Sequence, residues 1–558
     1  MAEEKLTPLQ AKLARLNRDS EERAAEKLAK KLNHPYVDLR KTPISLEALK
    51  LISAEESRSA KAAAIELKVK KVALVLADPD LPEAKKVLRS LEDRKYEVKI
   101  FIASLSGLEQ SWGFYKFVAG EVKEITGKVD IEKKNLEELV KRLRTFQEVK
   151  SEIEKFDFKT TTTTALLEIV LAGALANKAS DIHFEAEEKK SKIRFRLDGL
   201  LHDIFSDLPI KNYQGLISRI KLLSGMKINI RGEPQDGRFT IGLVSKEIEV
   251  RVSIIPSEFG ETIVMRVLDP DAISVELPQL GLREDNLVLV QEQLSKPNGL
   301  ILNTGPTGSG KTTTLYAFLR KLLNPEIKII TIEDPIEYRI PGIEQTQVDP
   351  SSNYTFAKGL RAIVRQDPDV ILVGEVRDGE TADIAMQAAL TGHMVLSTLH
   401  TNDAVGVVPR LVDLGVKPSI IGPALNLAIA QRLIRKLCEK CKKPAKVTPE
   451  LKTKISKFLE SLPKKVNRDP YRDFKIFEPV GCSVCNSFGY KGRIGVFEFL
   501  EAGPSFEETI LKETSEVALR KLAQSQEMVT MQQDGILKVL SGLTSFKEVE
   551  HGTGLIEW

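Results

Sequence analysis

Apolar positions recur along the chain in two rhythms, one helical and one extended. Leu6, Leu9, Leu13 and Leu16 stand at helical spacing, and Arg18 to Lys31 is dense in Ala, Glu and Lys. Residues 1–35 are therefore expected to form a charged, solvated helix. From Tyr36 the rhythm changes. Val69 to Ala77 is an apolar run closed by the turn signal Asp78-Pro79-Asp80, Glu83 to Arg94 has helical spacing, Tyr96 to Ile102 alternates, and Leu108 to Val118 is helical again. These elements make residues 36–122 a small α/β domain without a catalytic constellation, read as a docking module. Residues 123–164 follow as a charged, mostly helical connector that ends in the tract Thr160 to Thr164. β-Branched polar side chains are poor helix interior, so the tract either spaces two domains or hinges them.

Residues 165–277 carry a second α/β pattern. Ala165 to Ala179 reads as an amphipathic helix, Ser180 to Glu185 as a strand, and Lys192 to Gly199 as a strand ending in an Asp-Gly turn. Tyr213 to Met226 is expected to be helical. Gln235 to Ile241 and Lys246 to Ile254 form an expected hairpin, and Thr262 to Val267 a further strand. Arg194, Arg196, Arg219, Arg231 and Arg238 stand out in this stretch. Singly, such residues are solvated strand faces or surface pairs. As a set facing a nucleotide they would suit bidentate contact with phosphate.

In residues 278–558 the apolar runs end in polar clusters. Leu300-Ile301-Leu302 leads into Gly305-Pro306-Thr307-Gly308-Ser309-Gly310-Lys311-Thr312, and Thr313 to Leu319 follows with helical spacing. That is a phosphate-binding loop in its strand–loop–helix setting. Glycines there let backbone N–H groups close on phosphate oxygens at a helix N-terminus. From Gly305 to Thr313 the segment is expected to hold ATP, with Lys311 on the β/γ phosphates and the Thr312 hydroxyl on Mg²⁺. Three further apolar strands end in Glu333-Asp334-Pro335-Ile336-Glu337, in Gly374-Glu375 and in His400-Thr401-Asn402-Asp403, the last run being preceded by His393. Ligands of an open parallel sheet sit beyond the carboxyl ends of its strands. Val370 to Glu375 resembles a Walker B strand with Gly374 where an aspartate usually precedes the glutamate. Glu375 is then expected to support the metal and the attacking water, with Glu333 and Glu337 orienting water. His393 and His400 are expected to reach the γ-phosphate or Glu375.

Composition narrows the class. The formal net charge of the 558-residue chain is only +4, which gives no electrostatic footprint for nucleic acid. No signal pattern opens the chain and no uninterrupted apolar run of about 18 residues occurs, so a reducing setting and no membrane span are expected. The four cysteines form two C-x-x-C pairs, Cys438 with Cys441 and Cys482 with Cys485. Four thiolates make a closed tetrahedral site, and a structural Zn²⁺ is expected.

These motifs together resemble the secretion ATPases of type II secretion and type IV pilus assembly. The resemblance covers about residues 36–555 and rests on GPTGSGKTTTLY, the Asp box TIEDPIEY, DPDVILVGEVRD and the His box TGHMVLSTLHTNDA, supported by ASDIHFEA, PQDGRF and GCSVCNSFGYKGRIGVFEF. It implies an α/β fold: a RecA-like ATPase core over residues 278–558 with a zinc-binding insert at 436–490, a preceding small PAS-like domain bearing arginines, and an N-terminal docking domain. It further implies a homo-hexameric ring, peripheral at the cytoplasmic face of the membrane, whose N-terminal domain docks on inner-membrane platform proteins. Arg219 and Arg238 match the arginine-bearing segments that complete the nucleotide site, with Arg194 and Arg196 beside them. Some relatives bind cyclic di-GMP through a longer N-terminal repeat, which residues 1–35 do not show. The cysteine insert and the N-terminal module place the chain on the assembly or secretion side, as against retraction. A motor for DNA uptake stays open, as does a nucleic-acid translocase or helicase on the same core. The small net charge and the lack of a basic, aromatic-interleaved patch count against the translocase. Intact Lys311, Thr312 and Glu375 count against a scaffold that only binds nucleotide.

Overall fold

A computed structural model describes residues 8–117, 133–160, 162–244, 246–273 and 275–558. The start of the expected N-terminal helix, the first part of the connector and Thr161 lie outside the described residues. The chain divides into two compact units, Met1–Leu197 with Leu201–Val267, and Asp198–Leu200 with Leu268–Trp558. No described helix is long and apolar enough to cross a membrane.

The first unit opens with the helix Pro8–Lys31 and a three-stranded sheet of β1 (Ala62–Lys68), β2 (Lys71–Leu76) and β3 (Glu97–Ile102). β1 and β2 are antiparallel, and β2 and β3 parallel. The strand expected from Val69 begins two residues later. Val69 has φ 55° and is 94% exposed, because it turns the chain between β1 and β2. β1 itself, Ala-Ala-Ala-Ile-Glu-Leu-Lys, has the composition of a helix and no period of two; its strand form comes from pairing with β2. The helix expected over Leu108 to Val118 runs Leu105–Trp112 and tightens into a 3₁₀ turn at Gly113–Phe117.

The rest of this unit is a six-stranded sheet in the order β6-β5-β4-β9-β8-β7, from β4 (Asp181–Ala186), β5 (Ser191–Leu197), β6 (Leu200–Leu208), β7 (Gln235–Gly242), β8 (Glu247–Ser257) and β9 (Gly260–Leu268). Asp198 and Gly199, at φ 48° and 91°, turn the chain between β5 and β6. The helix Thr163–Ala176 departs from the amphipathic expectation: Leu166, Leu167 and Ile169 to Ala174 are all buried. A Cβ at Gly173 would stand 2.6 Å from Val149 Cγ2, so the helix Phe146–Glu154 covers a flank that would otherwise meet water. Part of the threonine tract is helical, not linker, since Thr162 Oγ1 accepts from Ala165 N at 3.4 Å. A threonine that is poor inside a helix is favourable as its N-cap.

The second unit is built on a seven-stranded sheet ordered β12-β11-β13-β14-β10-β15-β18. Its strands are β10 (Gly299–Thr304), β11 (Ile329–Glu333), β12 (Glu344–Gln347), β13 (Val370–Val373), β14 (Met394–Leu399), β15 (Leu425–Leu437) and β18 (Tyr490–Glu501), with β16 (Lys443–Pro444) and β17 (Phe477–Glu478) pairing apart in the insert. The first six pair in parallel, and β18 closes one edge antiparallel to β15. Leu300 and Leu302 face one apolar cluster and Ile301 the other. Both faces are thus covered, which is why these strands read as continuous apolar runs. A buried ionic cluster ties the chain ahead of β10 to the C-terminal helices. Arg283 Nη1 donates to Asp534 Oδ1 at 2.9 Å, while Asp534 Oδ2 accepts from Phe497 N at 2.9 Å and from Lys538 Nζ at 2.5 Å.

Candidate functional site

Parallel pairing brings several chain segments to one end of the large sheet. Thr304 pairs with Leu399 on one side and Ala430 on the other, so the loop from Gly305 and the segment from His400 leave the sheet together, beside Gln431 and Arg432, which continue β15. Val373 pairs with Ser397 and Ile332, which brings Glu375 and Glu333 to the same end.

Gly305, Gly308 and Gly310 have φ of 145°, 80° and 90°, a region that disfavours side chains. Space also requires glycine at Gly305, whose Cβ would meet Gln431 O at 2.5 Å. Lys311, Thr312 and Thr313 form the first turn of the helix Lys311–Leu322. Lys311 Nζ donates to Gly305 O at 2.7 Å and Pro306 O at 3.1 Å. Burial lowers its proton affinity, and the charge of Glu375 opposes that shift. Gln431, which motif reading missed, braces the loop from β15. Its Oε1 accepts from Asn303 Nδ2 at 2.8 Å and Thr314 Oγ1 at 2.9 Å.

Glu375 follows β13, and its carboxylate lies between Arg377 and His400. Arg377 Nη2 lies 2.5 Å from one carboxylate oxygen and His400 Nε2 3.4 Å from the other. The glycine before it has a steric reason. A Cβ at Gly374 would stand 3.3 Å from both Glu333 Cα and Ile332 O, so an aspartate would crowd β11. Glu333 is placed differently from expectation. It is 4% exposed, with Oε1 accepting from Thr331 Oγ1 at 2.6 Å and Gln345 Nε2 at 3.1 Å, and Oε2 accepting from the Tyr316 hydroxyl. Burial raises its pKa against these three donors. Both oxygens are thus engaged by protein, while Glu337 is half-buried in the loop after β11.

His393 is brought to the wrong end of the sheet. It precedes β14, its carbonyl accepts from Gly299 N at 3.1 Å, and its Nδ1 lies 2.9 Å from Ala388 O. Six residues of extended strand, about 20 Å, separate it from the phosphate loop of its own chain. His400 is the histidine at the site.

The arginines do not form one set within their unit. Arg194 and Arg196 lie on the sheet face away from the core and pair with Asp203 at 2.8 Å, Glu185 at 3.3 Å and Asp181 at 3.5 Å. Arg238 shares that face and stands opposite Arg251 in the β7–β8 register. Arg231 is exposed in the loop before β7. Arg219 is on the helix Ile210–Leu223, its Nε buried without a hydrogen-bond partner. Burial lowers its pKa, opposed by Glu168.

Ligand atoms of Cys438, Cys441, Cys482 and Cys485 all lie within 4.8 Å of one another. Sγ pairs are 3.9 Å apart for Cys438–Cys482 and 3.8 Å for both Cys441–Cys485 and Cys482–Cys485. Tetrahedral Zn–S bonds of about 2.3 Å put sulfurs roughly 3.8 Å apart, so the donor set fits zinc. Backbone N–H groups of Gly481, Cys482 and Gly489 donate to these sulfurs at 3.2–3.3 Å, as suits thiolate charge.

Comparison with known proteins agrees with this geometry. Residues 158–551 match the family described as type II/IV secretion system protein. Type II secretion system protein E of Aeromonas hydrophila is 44% identical over 385 residues, 69% of this chain and 74% of that protein. The type IV pilus assembly ATPase PilB of Myxococcus xanthus is 34% identical over 542 residues, 96% of this chain and 91% of that protein. Among solved structures, the Legionella pneumophila ATPase DotB shares the fold over 71% of this chain and 97% of its own, with a TM-score of 0.52 at 22% identity. The chain belongs to the type II/IV secretion system protein family and is one of its ATPases.

Proposed function

We propose that the chain is a Mg²⁺-dependent motor that works as a homo-hexamer on the cytoplasmic face of the cell membrane. There it drives extension of a type IV pilus or a type II secretion pseudopilus. One observation carries the catalytic part: Lys311 and Glu375 share one sheet end, near enough for the charge of Glu375 to act on the proton of Lys311. In this reading the backbone of Gly305 to Thr313 cradles the phosphates, and Lys311 exchanges its two loop carbonyls for phosphate oxygens. Thr312 would hold Mg²⁺, which would supply charge neutralisation at the phosphates. Glu375 takes the proton of the attacking water, with Arg377 and His400 fixing its carboxylate and Glu337 orienting the water. Glu333 braces the turn from which Glu337 projects. Arg219 and Arg238 are the cations that the family resemblance assigns to phosphate contact, Arg219 being the better supported because its guanidinium has an unused donor. Zinc at the four cysteines would close the insert and leave no position open for chemistry. Platform proteins of the inner membrane are the partners assigned to the N-terminal domain.

The test pairs chemistry with biology. Purified chain should hydrolyse ATP in a Mg²⁺-dependent manner and assemble with six-fold mass. In its host, Lys311→Ala at the native locus should abolish surface filaments or secretion. Wild-type filaments and secretion in that strain would remove the motor assignment.

A further inference from the structure

Arg283 and Arg435 of the large unit are paired with carboxylates. Arg283 has Asp285 and Asp534 at 2.9 Å, and Arg435 bonds Glu548. Arg432 differs. Its Nη2 donates only to a backbone oxygen, Asn402 O, at 3.2 Å, and its Nη1 is buried with no hydrogen-bond partner. The two carboxylates whose fields reach it, Glu498 and Asp403, are committed elsewhere. Glu498 accepts from Ala404 N at 2.8 Å and Met531 N at 3.2 Å, and burial favours its protonated form. Asp403 accepts from Gly406 N at 2.8 Å and Arg520 Nη2 at 2.7 Å. The charge of Arg432 disfavours the protonated form of Lys311, whose proton affinity burial already lowers. Ala430 pairs with Thr304, after which the phosphate loop departs, while Arg432 stays in β15 just past that point, paired with Val496 of β18.

Lys311 stands at a helix N-terminus that already favours anions, and Arg432, with a buried unused donor, is a second cation acting on it. A guanidinium N–H left buried without an acceptor is unfavourable. We propose that Arg432 is a nucleotide-binding residue whose Nη1 takes an oxygen of the phosphate chain while Nη2 stays on Asn402 O. The same guanidinium then joins bound nucleotide to the segment that carries His400, whose ring faces Glu375. This inference rests on the phosphate-loop reading above.

The test is titration of ATP and ADP onto the full-length protein, with steady-state phosphate release, for Arg432→Gln, Arg432→Lys and Lys311→Ala. Loss of one charge-assisted hydrogen bond should weaken Arg432→Gln about tenfold for both nucleotides. Its kcat at saturating ATP should stay within about threefold of wild type, as befits contact made alike in the ground and transition states. Arg432→Lys should bind about threefold more weakly than wild type, since an ammonium keeps the charge but lacks the fork that reaches both acceptors. Wild-type affinity in Arg432→Gln, or lost kcat at unchanged affinity, would overturn the assignment. If Arg432→Gln does not melt cooperatively, Arg432→Lys decides alone, and wild-type affinity there overturns it. Wild-type ATP affinity in Lys311→Ala would sink the phosphate-loop reading itself. Loss in Lys311→Ala with none at Arg432 would sink only this inference.

Discussion

Glu333 is the residue on which motif logic and geometry part most clearly, and a pair of substitutions separates them. Glu333→Ala removes the acceptor of the Tyr316 hydroxyl, the Thr331 hydroxyl and one Gln345 N–H. Gln345 keeps Tyr338 O at 2.9 Å, and Tyr316 keeps only a long contact to the same oxygen at 3.5 Å. Thr331, fully buried, loses its partner outright. Two orphaned hydroxyls at about 1–3 kcal/mol each, less the relief of removing a carboxylate that burial disfavours, leave a cost of about 3 kcal/mol. In a unit of this size that lowers Tm by roughly 6–12 °C. Glu333→Gln keeps Oε1 for Thr331 and Gln345 and can donate from Nε2 to the Tyr316 oxygen, so its cost should be about 1 kcal/mol. As a brace, Glu333 then predicts a large Tm loss for alanine, a small one for glutamine, and glutamine turnover within about threefold of wild type. The assay is thermal melting and phosphate release on the same preparations. Glu333→Gln with wild-type Tm and turnover down by about 10²–10⁴ would refute the brace and return Glu333 to the chemistry.

Other variants probe separate parts of the structure. Lys311→Ala should lose ATP affinity and turnover together, because its cation serves ground and transition state alike; titration and phosphate release check it. Elemental analysis should find one zinc per chain. Cys441→Ser should lower that content and the stability of the C-terminal region, since metal binding and folding are coupled. Asp534→Ala should cost about 3–5 kcal/mol by leaving buried Arg283 and Lys538 without their shared carboxylate, read as a fall in Tm with nucleotide affinity little changed.

How far the residues alone reach depends on whether a contact is local. The phosphate loop was legible because its glycines, lysine and following helix are contiguous, and each C-x-x-C pair is short enough to read as half a metal site. The parallel sheet was legible as apolar runs ending in polar clusters. Gln431 and Arg432 were not, since they meet the loop only through the β10–β15 pairing, about 120 residues downstream. His393 was misplaced because flanking a strand does not say which end holds the ligand. The burial of Glu333 depends on Tyr316 and on Gln345 of β12, and no spacing rule links them. The helix Thr163–Ala176 was misjudged as amphipathic because the helix Phe146–Glu154, which covers its flank, lies in a charged connector whose packing is not written in the helix itself.

Single-turnover phosphate release by Glu375→Gln bears most directly on the assigned chemistry, since the amide keeps the shape of the side chain and removes only its basicity. The variant should bind ATP with wild-type affinity and retain it, with the hydrolytic step slowed by about 10²–10⁴. Phosphate release at the wild-type rate would contradict the role of Glu375 and move the search for the base to Glu337.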